Sequence, residues 1–285
     1  MMERILVCPQ DEELLSHIRN RPVVVTTKGI DNALRFGDEV IRTHELYCMW
    51  CNEQRALTDA LLNPENVRIP LALSVPEVGD LAKILDYAPL YAGSRIRVYL
   101  PASKKRNITD ARILASLGVN CGFTFDDPSS VDWDALNDLM VYSVYNSAPH
   151  AEIEPFASVI RRYEPTKLTY ILSSLFENPD LYFHVDKDEN IAATHKDLQN
   201  KKYLGTGLEN LAELEQTYTE IDAEQACREL FIDNAPCASC EAFRLCAGSF
   251  RETCAHDTRC RNLMKELLEA CDYRYTKNVQ QVWQP

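Results

Sequence analysis

The sequence predicts a mixed α/β protein. We expect a partial, open barrel of parallel strands over residues 1–180, followed by a small cysteine-rich domain over residues 181–285. Short apolar, β-branched runs alternate with helical patterns, which is typical of parallel strands joined by helices. About five or six strand–helix units fit, short of the eight of a closed barrel. Five of the 11 cysteines fall between Cys237 and Cys260.

The first units come from the N-terminal third of the chain. Residues 2–7 and 23–27 are short apolar runs that predict strands. Residues 11–19 between them have helical spacing, with acidic residues in the first turn as the helix dipole favours. We then expect a helix over 53–62, a strand over 67–74 and a helix over 75–88.

The middle of the chain continues the alternation. We predict strands over 95–101, 119–125 and 168–174, and helices over 108–117, 131–145 and 154–163. Gly118 ends the first of these helices, and Ser129 or Ser130 caps the second. Repeated units of this length imply parallel strands with right-handed crossovers.

The pattern changes after residue 180. Residues 181–195 alternate, turn at Asp186–Asn190 and alternate again, which predicts a β-hairpin. A helix is expected over 208–218, and an amphipathic helix over 261–273 begins at Cys260. We expect the last ten residues to form a loose tail.

Ligands of such parallel sheets bind at the carboxyl ends of the strands. The polar candidates there are Ser74, Pro101 to Lys104, Asp126, Asp127, Ser173 and Ser174, with Tyr145, His150 and Glu154 as neighbours by position. The Asp126–Asp127 pair could act as acid or base. Helix capping or loop solvation is the preferred interpretation of this pair.

Composition excludes several functions. The net charge of −13 argues against a nucleic-acid or anionic-membrane binder and leaves room for a basic peptide or protein partner. Glycine is scarce, at 9 residues, and no nucleotide phosphate loop is present. No stretch reaches the about 18 uncharged residues of a membrane span. The Met1-Met2-Glu3-Arg4 start predicts no signal peptide, so we expect a cytoplasmic protein.

The strongest motif is the cysteine segment. Cys237, Cys240 and Cys246 have C-x2-C-x5-C spacing, and Cys254 and Cys260 follow. Such thiols can hold an iron–sulfur cluster or a structural zinc ion. A disulfide framework or buried thiols are the third interpretation, which a cytosolic location disfavours. Spacing alone does not choose between iron–sulfur and zinc.

A second, weaker motif lies near the N-terminus. His44, Cys48 and Cys51 have the spacing H-x3-C-x2-C. One interpretation is a variant iron–sulfur site in which imidazole replaces a thiolate. The preferred interpretation is two packed cysteines at a strand end or first helical turn, beside Trp50.

These features together resemble a known family. A partial α/β barrel, a hairpin at 181–195 and a C-x2-C-x5-C segment with a cysteine-led helix are similar to radical S-adenosylmethionine (SAM) proteins with a C-terminal SPASM domain. The resemblance implies an auxiliary [4Fe–4S] cluster. Its ligands map to Cys237, Cys240, Cys246 and Cys260, with Cys254 as the alternative for the last.

The sequence departs from that family at several cluster positions. Where the family pattern has cysteine, this chain has His44, His195, Asn210 and Phe250. The chain therefore resembles the pseudo-radical-SAM proteins, which are catalytically silent partners of an active radical SAM peptide maturase. Cleavage of SAM needs an open iron on a low-potential cluster, and loss of a thiolate changes both the charge and the potential of the cluster.

The resemblance implies an accessory iron–sulfur protein of ribosomal peptide maturation. We expect one [4Fe–4S] cluster, no catalytic residues and no bound SAM. The partner is a radical SAM maturase, a ribosomally made precursor peptide, or both, with no nucleic acid and no membrane. One alternative is an active radical SAM peptide maturase that uses His44, Cys48 and Cys51. Another is a zinc-stapled binding protein without redox chemistry.

Overall fold

The structure is a computed structural model that describes residues 3–18, 20–53, 68–79, 86, 95–232, 236–250 and 259–282. The strands are β1 (Ile5–Pro9), β2 (Pro22–Lys28), β3 (Glu45–Asn52), β4 (Leu71–Ser74), β5 (Ile96–Pro101), β6 (Cys121–Thr124), β7 (Ile153–Glu154), β8 (Tyr182–Val185), β9 (Asn190–Ala192) and β10 (Gly205–Thr206). The α-helices are α1 (Glu12–His17), α2 (Ile30–Thr43), α3 (Lys105–Ser116), α4 (Trp133–Tyr145), α5 (Phe156–Arg162), α6 (His195–Gln199), α7 (Leu211–Ile232), α8 (Phe243–Cys246) and α9 (Arg259–Val282).

The strands form one mostly parallel sheet, which confirms the α/β class. Its order is β10-β9-β8-β1-β2-β3-β4-β5-β6-β7. Every neighbouring pair from β8 to β7 is parallel, and only β8–β9 and β9–β10 are antiparallel. The order has two ends, so the described strands make an open sheet. The carboxyl ends of β1 to β6 and β8 therefore lie at one edge.

The helices bury large aliphatic side chains against one face of this sheet. Strand residues such as Leu6, Val25 and Leu73 point to this helix-covered face and are almost fully buried. They share one core with residues from the helices, Trp133 and Leu267 among them. Since successive strand residues point to opposite sides, each strand gives every second residue to this core.

The second face of the sheet carries a smaller cluster of buried residues. Val7, Val24, Cys48, Ala72, Tyr99 and Tyr182 form a separate buried cluster there, joined by Leu175 and Phe176. We call residues 171–176 the covering segment: Leu172, Leu175 and Phe176 pack on this second face, whereas Ile171 belongs to the helix-covered core. Two hydrogen bonds attach it, from the Tyr99 hydroxyl to the Ser174 carbonyl at 2.7 Å and between His184 Nε2 and the Phe176 carbonyl at 3.0 Å.

The predicted hairpin is present and extends the main sheet. β8 and β9 pair antiparallel, and the Asp186 carboxylate accepts from the Asp188 and Asn190 backbone N–H groups in the turn, each at 2.9 Å. β8 also pairs in parallel with β1. The long helix α9 packs on α4 and α5. The division into domains at residue 181 stays a prediction.

Several predicted elements were wrong. Residues 171–175 form a 3₁₀ turn and not a strand, because this segment covers the sheet face instead of joining its edge. Asp132, not Ser129 or Ser130, caps α4 by accepting from the Ala135 N–H at 3.0 Å. The expected C-terminal tail is helical to Val282, because α9 continues as one helix.

Two predicted helices fall largely outside the described residues. The helix over 53–62 lies there except for its first residue, and so does most of the helix over 75–88. Residues 75–79, which are described, are not helical. In the described part of the chain, no helix combines the length and apolar character that crossing a bilayer requires.

Candidate functional site

The N-terminal motif is split by the sheet. Cys48 and Cys51 both lie in β3, opposite Val24 and Leu73 on the neighbouring strands. Residues three apart in a strand point to opposite faces. Cys48 accordingly belongs to the cluster on the second face, whereas Cys51 belongs to the helix-covered core. A single metal centre cannot reach both sulfurs without breaking this strand.

His44 lies apart from both cysteines. It follows α2, and its Nε2 is 2.9 Å from the Leu15 carbonyl, which accepts a hydrogen bond from the Nε2–H group. Burial raises the pKa of Cys48 and of Cys51 to about 12, so both stay protonated at neutral pH. The structure therefore does not bring His44, Cys48 and Cys51 together, and the two thiols behave as packed apolar side chains.

The C-terminal motif has a different local geometry. Residues Pro236–Ser239 form a 3₁₀ turn, and the Cys240 N–H donates to the Cys237 carbonyl at 3.1 Å. The short helix α8 then ends at Cys246, followed by Ala247 with a left-handed backbone at φ 48°. This reversal turns the next N–H groups back toward the Cys246 sulfur.

The pKa of Cys246 is shifted by burial and by groups of the same turn. Burial raises the pKa of this thiol to about 11, the Gly248 and Ser249 N–H groups lower it by hydrogen bonding, and Cys240 and Cys237 raise it through their charge. The turn thus gathers three sulfurs within electrostatic reach. N–H groups aimed at a sulfur stabilise its thiolate, as they do around iron–sulfur clusters.

A group of polar contacts, which we call the polar clamp, attaches this cysteine turn to α9 and to the segment that follows α5. The Arg244 guanidinium donates to both carboxylate oxygens of Asp272 in α9, at 3.2 and 3.0 Å, and to the Pro165 carbonyl at 3.2 Å. Its carbonyl accepts from the Thr169 N–H at 2.7 Å. The ring of Tyr163 lies 5.2 Å from the guanidinium, and its hydroxyl donates to Asp272. Arg244 therefore fixes α8 between α5 and α9.

The predicted four-thiolate site is not complete in this arrangement. Cys260 is buried in the first turn of α9 and forms a disulfide bond, so its sulfur is not a thiolate. Cys254 lies outside the described residues. Among the residues that are described, no group of three or more His, Cys, Asp or Glu side chains is placed to hold a metal ion. The described geometry does not fit a finished cluster site.

The polar residues at the carboxyl ends of the strands have mostly local roles. Asp127 caps the turn at Pro128–Ser130, accepting from the Ser129 N–H at 3.2 Å, which agrees with the preferred capping interpretation. Asp126 accepts from the Thr124 hydroxyl at 3.1 Å. The Pro101 carbonyl accepts from the Asn107 amide at 3.1 Å, and Lys104 Nζ donates to the Pro76 carbonyl at 3.2 Å.

Three further candidates have separate environments. Tyr145 is exposed at the end of α4. His150 lies against Tyr142, with 5.1 Å between the ring centroids. Glu154 is buried, accepts from the Ser158 N–H at 3.0 Å and lies 3.5 Å from the Arg97 guanidinium. These residues do not form one site.

One group of side chains at this edge was missed by sequence reasoning. The Trp50 indole N–H donates to the Ser74 hydroxyl at 2.8 Å, and the Trp50 ring lies 6.2 Å from His195 and 5.2 Å from Phe176. Phe176 has φ 62°, which is strained for an aromatic residue. No local pattern predicts this group, because Phe176 lies just beyond the predicted strand over 168–174 and meets Trp50 only in the fold. Trp50 lies two residues before the end of β3, and Ser74 ends the neighbouring β4.

Comparisons with known proteins leave the family open. The chain matches no family model, and no curated protein matches it. The resemblance to radical SAM proteins with a SPASM domain stays a prediction from the sequence motifs.

Proposed function

We propose that this chain is a non-catalytic accessory protein of ribosomal peptide maturation that acts beside an active radical SAM enzyme. The observation that supports the non-catalytic part most directly is the strand position of Cys48 and Cys51, whose side chains lie on opposite faces of the sheet. SAM cleavage needs one cluster with an open iron. In this proposal the scaffold is retained and that cluster is lost.

The scaffold is proposed to be a partial α/β barrel. The open, mostly parallel sheet with helices over one face supports this. In such a barrel the second face would line the interior, where a catalytic member of the family needs room for SAM and substrate. Here the covering segment fills part of that face with Leu175 and Phe176. A filled interior agrees with a binding role.

The C-terminal turn is proposed to hold one [4Fe–4S] cluster, with zinc as the alternative. Cys237, Cys240 and Cys246 supply three soft thiolate donors, which suit either group. Cys260 is proposed as the fourth ligand after reduction of its disulfide, and Cys254 as its substitute. Burial raises the pKa of Cys246 to about 11, and hydrogen bonds from the Gly248 and Ser249 N–H groups act against this, in the direction that a metal-bound thiolate needs. The cluster staples the turn or passes electrons when bound.

Metal analysis tests the proposal. The full chain is purified anaerobically with a reducing agent, and iron, sulfide and zinc are measured on one sample. We expect about four irons per chain, lost in Cys240→Ser and kept in Cys48→Ala. About eight irons, half of them lost in Cys48→Ala, would restore the active-enzyme alternative. Zinc without iron would support the zinc-stapled alternative.

Two assays address the accessory role. Incubation of the reduced protein with SAM is expected to give no 5′-deoxyadenosine, and formation of that product would contradict the proposal. A radical SAM maturase and its precursor peptide are then tested for association with the chain by co-elution. We expect a stable complex with at least one of them, and absence of any complex would remove the accessory role.

A further inference from the structure

The covering segment, residues 171–176, is fastened on both sides. Before it, the Thr169 N–H donates to the Arg244 carbonyl at 2.7 Å. After it, the Asn178 carbonyl accepts from the Tyr182 N–H at 2.9 Å, where the chain turns into β8. The segment therefore crosses the second face of the sheet between two attached points.

Two side chains of the sheet hold the covering segment by its backbone. The Tyr99 hydroxyl donates to the Ser174 carbonyl at 2.7 Å, and the His184 Nε2–H donates to the Phe176 carbonyl, with 3.0 Å between the heavy atoms. The Phe176 ring also packs on the Tyr182 ring, with 5.4 Å between the ring centroids. Apolar packing and these two hydrogen bonds keep the segment on the second face.

The closed position also has two unfavourable features. Phe176 has φ 62°, a left-handed backbone conformation that is strained for an aromatic residue. In the described structure the Ser174 hydroxyl oxygen is buried without a hydrogen-bond partner, so closing the segment removes it from water without compensation. Both costs disappear when the segment leaves the sheet, because the backbone relaxes and water binds the hydroxyl. They offset part of the packing that keeps the segment closed.

We propose that the covering segment is a displaceable lid, which opens from the second face while the sheet and the helix-covered core stay folded. Opening breaks the hydrogen bonds from Tyr99 and His184 and uncovers the buried residues beneath, Cys48 and Ala72 among them. The closed lid excludes ligands from this face, and the open lid admits them. Opening requires neither the proposed function nor a metal in the cysteine turn.

Two native thiols report on this opening. Cys48 shares the second-face cluster with Phe176, and Cys51 lies in the same strand on the helix-covered face. Burial raises the pKa of each thiol to about 12, so a difference between their alkylation rates reflects how often each is exposed.

Alkylation of the full wild-type chain is the first test. Iodoacetamide is used at low concentration, where each rate follows the population of the form that exposes the thiol, and peptide mass spectrometry gives both rates. We expect Cys48 to react at least about tenfold faster than Cys51, since only unfolding of the core exposes Cys51. Equal rates would mean that the segment leaves the sheet only when the protein unfolds, which overturns the proposal.

A mild core variant separates opening of the lid from unfolding of the whole protein. Ile108 of α3 is buried in the helix-covered core, and Ile108→Val removes one methylene group there. Unfolding becomes easier, so we expect the Cys51 rate to rise about fivefold. The Cys48 rate is expected to stay unchanged, because the open form keeps this core. An equal rise at Cys48 overturns the proposal.

A variant of the segment itself tests whether the closed position carries the cost of an unpaired hydroxyl. Ser174→Ala removes that hydroxyl and keeps the carbonyl that accepts from Tyr99. We expect the closed form to be favoured and Cys48 alkylation to slow about threefold or more. Ser116→Ala is the matched control, since Ser116 is exposed on α3, and is expected to leave the Cys48 rate unchanged. An unchanged or faster Cys48 rate in Ser174→Ala overturns the proposal.

Discussion

Two Cys-x-x-Cys pairs in this chain share a spacing and differ in geometry. Cys48 and Cys51 lie in a strand, where three residues span one and a half periods and the sulfurs point to opposite faces. Cys237 lies in a 3₁₀ turn, and Cys240 directly follows it with its N–H bonded to the Cys237 carbonyl. There, the same spacing brings both sulfurs within electrostatic reach of Cys246. Backbone conformation, not spacing, decides whether two thiols can share a metal.

The two pairs also differ in solvent contact. Cys51 is fully buried, with 0 % of its surface exposed, and Cys48 is 7 % exposed. Cys240 is half-buried at the surface turn. Cys237 is as buried as Cys48, also 7 % exposed, so Cys240 alone of these four cysteines is open to a metal, a reductant or a labelling reagent. Four measurements test this comparison.

The largest expected difference is in thiol alkylation. At pH 8 a thiol with a pKa of about 12 is only about one part in ten thousand thiolate, and Cys48 and Cys51 both have that value. We expect iodoacetamide to modify Cys240 at least about a thousandfold faster than either residue in the native, metal-free protein. Peptide mass spectrometry over a time course measures the rates. Labelling of the denatured chain is the control, and similar native rates would contradict the difference in burial.

Matched aspartate substitutions give the next largest effect. Cys51→Asp places a carboxyl group in the closed core without a partner, so we expect it to cost about 4 kcal/mol or more of the free energy of unfolding. Cys240→Asp at the surface turn is expected to cost less than about 1 kcal/mol in metal-free protein. Urea unfolding followed by circular dichroism measures both. Equal costs would mean that the turn is part of the core.

Removal of the polar clamp that holds the cysteine turn is expected to lower the free energy of unfolding by a smaller amount. Arg244→Met removes the hydrogen bonds to Asp272 and Pro165 and is expected to cost about 1–2 kcal/mol, since Arg244 and Asp272 are both partly exposed. Hydrogen exchange is expected to speed up in α8 and in the facing turn of α9, and not in β3. Exposed Arg161→Met serves as the control. Unchanged exchange in α8 would contradict the role of Arg244.

The smallest expected effect is the most informative about the N-terminal motif. His44→Cys restores the three-cysteine spacing of radical SAM enzymes, yet we expect no added iron, because Cys48 and Cys51 still face opposite sides. Stability is expected to fall by about 1 kcal/mol through loss of the bond to Leu15. Wild type and variant are reconstituted anaerobically, and the number of irons bound per chain is compared. Four additional irons in the variant would show that β3 can rearrange.

Local patterns predicted most of the described parallel strands because each gives an apolar, β-branched run. The strands at Ile5–Pro9, Pro22–Lys28 and Ile96–Pro101 have this form, and so does the hairpin with its Asp186 turn. The failed strand at 168–174 is equally apolar. Its end does not join the sheet, because the Tyr99 hydroxyl, from a strand 75 residues earlier, donates to the Ser174 carbonyl. His184 holds the following residues in the same way, through the Phe176 carbonyl.

For the candidate site, too, the sequence predicted one part and only the structure showed the other. The cysteine spacing and the acidic charge follow from the sequence, and so does the presence of thiols that can bind a soft metal. Only the tertiary structure separates Cys48 from Cys51, because side-chain direction depends on whether three residues form a strand or a turn. Only the tertiary structure brings Trp50 against Phe176 and His195, since both lie more than a hundred residues further along the chain. Spacing fixes which groups are available, and the backbone geometry decides which of them meet.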